Sequence, residues 1–247
     1  DYRPHNPYLY KMQGDPNDPL SWKKWTKGRM LKAPFENFNT YDRANAAFIA
    51  DWSNYDDYYY LIYAGTTESE THDGRGNNKI ALARSNDLVH WDRPGKEKKN
   101  IDWSNLRNPV LSYPHWSTKD ACVIRRNDYY YIFCSAFYFD RGQERSHVTG
   151  FKTKDFVNFS EPLFIWDGTK DGWIGMCSPN ITKVKDKYYL TYNSWGDKPG
   201  KPNDLFYAVS DDLNNWQKHI PLADNLTTKR DIDAAVEYEN DKYYLIW

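Results

Sequence analysis

Residues 120–133 read Asp120-Ala-Cys-Val-Ile-Arg-Arg-Asn-Asp-Tyr-Tyr-Tyr-Ile-Phe133. A short apolar run, a polar turn carrying Asn and Asp, and a second run rich in Tyr make a β-hairpin signal. The same frame returns in Ser178-Pro-Asn-Ile-Thr-Lys-Val-Lys-Asp-Lys-Tyr-Tyr-Leu-Thr191 and in Asp233-Ala-Ala-Val-Glu-Tyr-Glu-Asn-Asp-Lys-Tyr-Tyr-Leu-Ile246. A fourth copy, Asn45-Ala-Ala-Phe-Ile-Ala-Asp-Trp52, carries a longer turn before Asp57-Tyr-Tyr-Tyr-Leu-Ile62.

A second unit follows each of the first three hairpins. Lys79-Ile-Ala-Leu-Ala-Arg-Ser-Asn-Asp-Leu-Val-His-Trp91 matches Leu205-Phe-Tyr-Ala-Val-Ser-Asp-Asp-Leu-Asn-Asn-Trp216, and Val148–Phe159 is the same unit ending in Phe. Each is a strand entering an Asp-Leu or Asp-Phe turn, after which an aromatic side chain returns to the sheet. Hairpins starting at 45, 120, 178 and 233 lie 75, 58 and 55 residues apart. Four strands per repeat of this length is the pattern of a β-propeller blade. A β-sandwich would hold as many strands but would not repeat its sequence.

The expectation is therefore an all-β chain, residues 1–247 forming a single propeller domain. The chain ends at Leu245-Ile-Trp247 inside the second strand of a hairpin, and residues 6–31 read as the outer half of a blade. Two arrangements fit: five blades with one incomplete in this chain, or four blades closed by the N- and C-terminal half-blades.

Composition narrows the function. The chain holds 11 Phe, 11 Trp and 21 Tyr among 247 residues, too aromatic for a disordered segment. No run of 18 uncharged apolar residues exists, which excludes a membrane-spanning helix. A net charge of -1 leaves no field to gather nucleic acid. Aromatics in polar surroundings favour strands and stacking surfaces, which makes carbohydrate the expected partner. Cys122, Cys134 and Cys177 have no metal-ligand spacing; Cys122 and Cys134 lie in one hairpin and pair if the register allows.

The Asp-x-Leu-x-x-Trp outer strands and the Asp or Ser-Pro hairpin starts resemble the five-bladed propeller glycosidases of families 43, 32 and 68. Lys119-Asp120-Ala121 resembles their Arg-Asp-Pro element, and Gly175-Met-Cys-Ser-Pro179 resembles a Trp-Glu-Cys-Pro stretch. The resemblance implies a glycoside hydrolase acting on a plant or algal poly- or oligosaccharide, with inversion and with three carboxylates at the mouth of a central tunnel. It implies a secreted or periplasmic location, no organic cofactor, and room for a structural divalent ion that no spacing marks. Glycosidic cleavage needs a proton donor at the leaving oxygen and a carboxylate on the opposite side.

The carboxylate pattern departs from that group. Aligned hairpins put Asn45, Asp120, Ser178 and Asp233 at one position. If the hairpin at Asn45 is the first, Asn45 replaces the base and Cys177 stands where the acid Glu belongs. If an earlier inner strand precedes it, the base lies outside this sequence. The catalytic candidates are Asp120, Asp233 and Asp42. The substrate-binding candidates are Trp116 and His115 in the loop before Asp120, Trp173, Asn45, Ser178, Asn180, and Asp231, expected on the same side of an extended strand as Asp233. Trp22, Trp91 and Trp216 are expected in the core, and Glu144 and His147 in a solvated loop.

Overall fold

The computed structural model describes residues 12–15, 17–24, 43–66, 78–94, 101, 103–113, 117–196, 203–222 and 231–247. They belong to two compact units, Asp1–Ser112 and Tyr113–Trp247, each described by itself.

In the first unit, β1 (Met12–Gln13) pairs with β2 (Lys23–Lys24), and β3 (Arg43–Trp52), β4 (Tyr58–Thr66) and β5 (Lys79–Ser85) form an antiparallel sheet in that order. The helical turn Ser53–Asp56 joins β3 to β4, closing on Asp57 in the left-handed region. In the second unit, β6 (Ser117–Arg126), β7 (Tyr129–Asp140), β8 (Gln143–Thr153) and β9 (Ile165–Trp166) pair in sequence. So do β10 (Gly175–Val184), β11 (Lys187–Trp195), β12 (Leu205–Ser210) and β13 (Gln217–Pro221). The hairpin β14 (Ala235–Glu239) and β15 (Lys242–Ile246) follows. All four hairpins read from the repeat are present and antiparallel.

The repeated Asp turn has one hydrogen-bond pattern in three places. Ser85, Thr153 and Ser210 each accept at Oγ from the N–H three residues on, at 2.8, 2.9 and 2.9 Å. Asp87, Asp155 and Asp212 each accept at Oδ1 from the N–H groups two and three residues on, between 2.7 and 2.9 Å. Leu88, Phe156 and Leu213 take left-handed backbone, with φ of 60°, 58° and 66°. The side chain three residues after the Asp, His90, Asn158 or Asn215, bonds the other carboxylate oxygen. Side-chain acceptors thus replace the missing ladder and turn the chain so that the following aromatic reaches the sheet.

Two of those aromatics pack as expected. Trp216 lies edge-on to Phe133 and Trp166 at 5.7 and 6.0 Å between ring centroids. Trp91 rests on Leu61, Tyr63, Ala81 and Ala83. Trp22 does not follow them: it is 44% exposed, because the two-residue ladder beside it offers no sheet face to bury against.

One expectation about a loop is corrected, and the open question of the thiols is decided. Residues 141–147 are not a loop: Arg141 and Gly142 form a two-residue turn at φ 50° and 79°, and Glu144 and His147 lie within β8. His147 is buried beside the rings of Tyr113 and Tyr138. Cys122 sits across from Phe133 while Cys134 falls opposite a bulge, so the two are out of register, and all three cysteines are free and buried.

Candidate active site

The inner hairpins share one irregularity. The β6–β7 register breaks between Lys119 and Cys122, and the β10–β11 register between Cys177 and Asn180. At each break a non-glycine residue is left-handed: Asp120 at φ 54° and Ser178 at 56°; Asp233, before β14, matches them at 61°. A β-bulge with its first residue left-handed bends the strand and re-aims that side chain. Asp tolerates this region better than most residues, yet each instance costs about 1–2 kcal/mol. Such strain is a reason to look for function at these positions. In the first unit the break lies between Asn45 and Ala47, and the left-handed residue is Ala46 at φ 46°, one position later than the alignment placed it.

The hydrogen bonds draw three of these segments together. Ser135, across from Lys119 on β7, donates its hydroxyl to Asp120 Oδ2 at 3.0 Å and accepts the Ser178 N–H at 2.8 Å. Asn193, across from Cys177 on β11, accepts the Asp233 N–H at Oδ1 (3.2 Å) and donates Nδ2 to Cys177 Sγ (3.3 Å) and the Ser194 carbonyl (2.9 Å). A polar side chain at one position of each second strand therefore holds the left-handed residue of the next hairpin. Neither Ser135 nor Asn193 was singled out from the sequence, although both interrupt apolar runs at matching positions of the repeat.

Asp120 is the electrostatic focus. Its side chain is 15% exposed, with Lys119 Nζ 3.8 Å from Oδ2. Burial raises its pKa above the ordinary carboxylate range; Lys119 and Ser135 oppose this, and the Asp233 carboxylate adds to it. The Cys177 thiol is pushed up to about 12, by burial first and then by Asp120, so it stays protonated at neutral pH.

The remaining candidates divide. Ser178 and Asn180 are half-buried beside this cluster, whereas Asp233 is exposed and Asp231 buried. Asp231 and Asp233 thus differ in exposure, and Asp233 is left-handed where an extended strand was expected. Trp173 is 4% exposed and cannot serve as a stacking platform. Its N–H donates to the Gly168 carbonyl at 3.1 Å, closing the turn Thr169–Asp171 and folding the ring inward. Asp42, His115 and Trp116 lie outside the described residues, as does the side chain of Asn45. Among the described residues no three His, Cys, Asp or Glu side chains converge. No helix among them is long and apolar enough to cross a membrane.

Known proteins share this fold. The chain superposes on a thermostable family-43 glycoside hydrolase with a TM-score of 0.63, at 19% identity, covering 91% of this chain and 71% of that one. It superposes on the endo-arabinase of Bacteroides thetaiotaomicron VPI-5482 with a TM-score of 0.61, at 13% identity, covering 91% and 76%. The fold class is thus the all-β propeller of the glycosidases. Residues 106–247, more than half of the chain, match the model of glycosyl hydrolases family 43, and the chain belongs to that family. It is also 31% identical over 91 residues to the β-1,2-mannobiose phosphorylase of Thermoanaerobacter sp. (strain X514); the match covers 37% of this chain and 29% of that protein.

Proposed function

We propose that the protein hydrolyses glycosidic bonds in a plant or algal poly- or oligosaccharide, with inversion at the anomeric carbon. The observation that carries this reading is Asp120, a largely buried carboxyl held back from ionising at a left-handed bulge inside β6, within electrostatic reach of the exposed Asp233. A carboxyl that holds its proton more tightly than usual suits a general acid, and an exposed carboxylate suits the activation of water. In this scheme Asp120 gives its proton to the leaving oxygen while Asp233 takes one from the attacking water. Inversion requires roughly 6.5–9.5 Å between the two groups. A polymeric substrate implies action outside the cytoplasm, in a secreted or periplasmic setting.

A second reading is favoured by Cys177, whose protonated thiol occupies the place the resemblance gives to an acid Glu. On that reading the propeller binds glycan without cleaving it.

The test is turnover on arabino-, xylo-, galacto-, fructo- and manno-oligosaccharides, with and without inorganic phosphate, for the wild type, Asp120→Asn and Asp233→Asn. Each variant is expected to lose about 10²-fold or more of kcat, the scale of a positioned acid or base. Unchanged turnover in both variants on every substrate sinks the assignment. Saturable binding by calorimetry, with no turnover even by the wild type, selects the second reading.

A further inference from the structure

The hydroxyl of Ser135 stands between two hairpins. It receives the Ser178 N–H at 2.8 Å, which occupies one of its lone pairs and orients the side chain. Its own proton is directed to Asp120 Oδ2 at 3.0 Å. The Lys119 ammonium approaches that same oxygen at 3.8 Å and lies 4.9 Å from the centre of the Phe137 ring, on the strand facing β6. One hydrogen-bond donor and one cation therefore address Oδ2.

We propose that Ser135 is a positioning residue for Asp120: oriented by the Ser178 amide, it holds Oδ2 as an acceptor and leaves Oδ1 as the atom that carries and delivers the proton. This rests on the hydrolytic reading above and assigns the atom at which it operates. In the donor step the O–H bond at Oδ1 breaks, its proton passes to the glycosidic oxygen, and the carboxylate formed keeps its charge beside Ser135 and Lys119.

The comparison between repeats supports a dedicated role. Asn193 holds the equivalent place on β11 and accepts the next hairpin's amide in the same way, from Asp233. Its donor, however, goes to the Cys177 thiol rather than to a carboxylate. Clamping adjacent hairpins thus needs only the acceptor, and the donor at Ser135 is free to act on Asp120. The charged and titratable groups facing Asp120 are Lys119 on its own strand, Cys134 on β7, Cys177 on β10 and Asp233 before β14. Lys119 and the Ser135 hydrogen bond favour the ionised carboxyl, whereas burial and Asp233 disfavour it.

The experiment is a carboxyl-carbon NMR titration of Asp120 in the full chain, for the wild type, Ser135→Ala, Ser135→Thr and Ser135→Cys. Removing the donor should move the Asp120 midpoint to higher pH in Ser135→Ala, Ser135→Thr should restore it, and the weaker donor in Ser135→Cys should fall between. In turnover the alkaline limb of kcat/KM should move up in pH, and kcat at neutral pH should fall by about tenfold, within the ~10²–10⁴ that a positioned acid contributes. Should Ser135→Ala fail to fold, Ser135→Cys carries the test. An Asp120 midpoint unmoved in the folded variants overturns the proposal. A midpoint that moves in a protein with no turnover on any sugar sustains the role of Ser135 and defeats the hydrolytic reading instead.

Discussion

Gly175 opens β10 at the closest approach of two repeats, and replacing it with Ala is the sharpest test of how the inner strands are held. Its one bridge to β8 is the parallel pair Gly175↔Ser146. A Cβ on Gly175 would clash with Ser146 Oγ and its carbonyl oxygen and stand 2.6 Å from its nitrogen. Two of those three atoms are backbone, so no rotamer change relieves the clash. Restoring ordinary contact parts the strands by about 1 Å. The buried hydrogen bond from Ser146 Oγ to the Met176 carbonyl, now 3.0 Å, would then stretch beyond bonding distance. Overpacking of a filled interior costs about 1–3 kcal/mol, and leaving a buried donor and acceptor unmade costs about 1–3 more. A destabilisation of about 3–5 kcal/mol is expected, a large part of the ~5–15 kcal/mol that holds a domain folded. Urea unfolding monitored by tryptophan fluorescence should show a midpoint lower by about 1 M or more with the slope unchanged. Gly142→Ala is the control: nothing lies within 4 Å of its Cβ, and only its φ of 79° is strained, so it should lose about 1 kcal/mol. If Gly175→Ala is no more destabilised than Gly142→Ala, the close approach of β8 and β10 is not as described. The displacement would also reach Cys177 and Ser178, so the variant should bind and turn over sugar poorly even where it remains folded.

The turns and the thiols carry three further predictions. In the turn after β12, Ser210→Ala removes the acceptor for the Leu213 and Asp212 amides and should cost about 1 kcal/mol by urea unfolding, as loss of a helix cap does. The Asp212 carboxylate is held well below its usual range, first by the Asn215 N–H, and Asp87 likewise by the His90 side chain. Groups depressed in the folded state contribute stability above the unfolded value near pH ~4 and lose it as pH falls further. The urea midpoint should therefore drop steeply from pH 5 to pH 2, and less steeply in Asp212→Ala; equal slopes would contradict the turn as the source. Burial holds the Cys122, Cys134 and Cys177 thiols protonated, Cys177 at about 12. A disulfide reagent should titrate no thiol in the native chain and all three after unfolding; rapid native reaction at any one would show that its site opens to solvent.

Much of the architecture is legible in the amino-acid order because its causes are local. Alternation of apolar residues, the Asn-Asp turns and the Ser-x-Asp-Leu turn act within a few residues, and their recurrence at 45, 120, 178 and 233 announces repeated hairpins. The same locality exposed Asp120 and Asp233 as residues at hairpin starts. Trp216 and Trp91 were legible as core because the turn that returns them to the sheet is built from the six residues before them.

What the tertiary structure decided are contacts between residues far apart in the chain. Ser135 meets Ser178 across 43 residues and Asn193 meets Asp233 across 40, and no local pattern marks a hydroxyl or an amide for that task. Asp233 is left-handed and differs from Asp231 in exposure, where alternation alone had put them together. Trp173 looked free in sequence and is buried by a turn whose glycines fold it inward. Order along the chain determines which residues pair within a hairpin, since those contacts form at short separation. Which polar group faces which carboxylate depends on how successive hairpins pack, and only that packing gives Asp120 its burial and its partners.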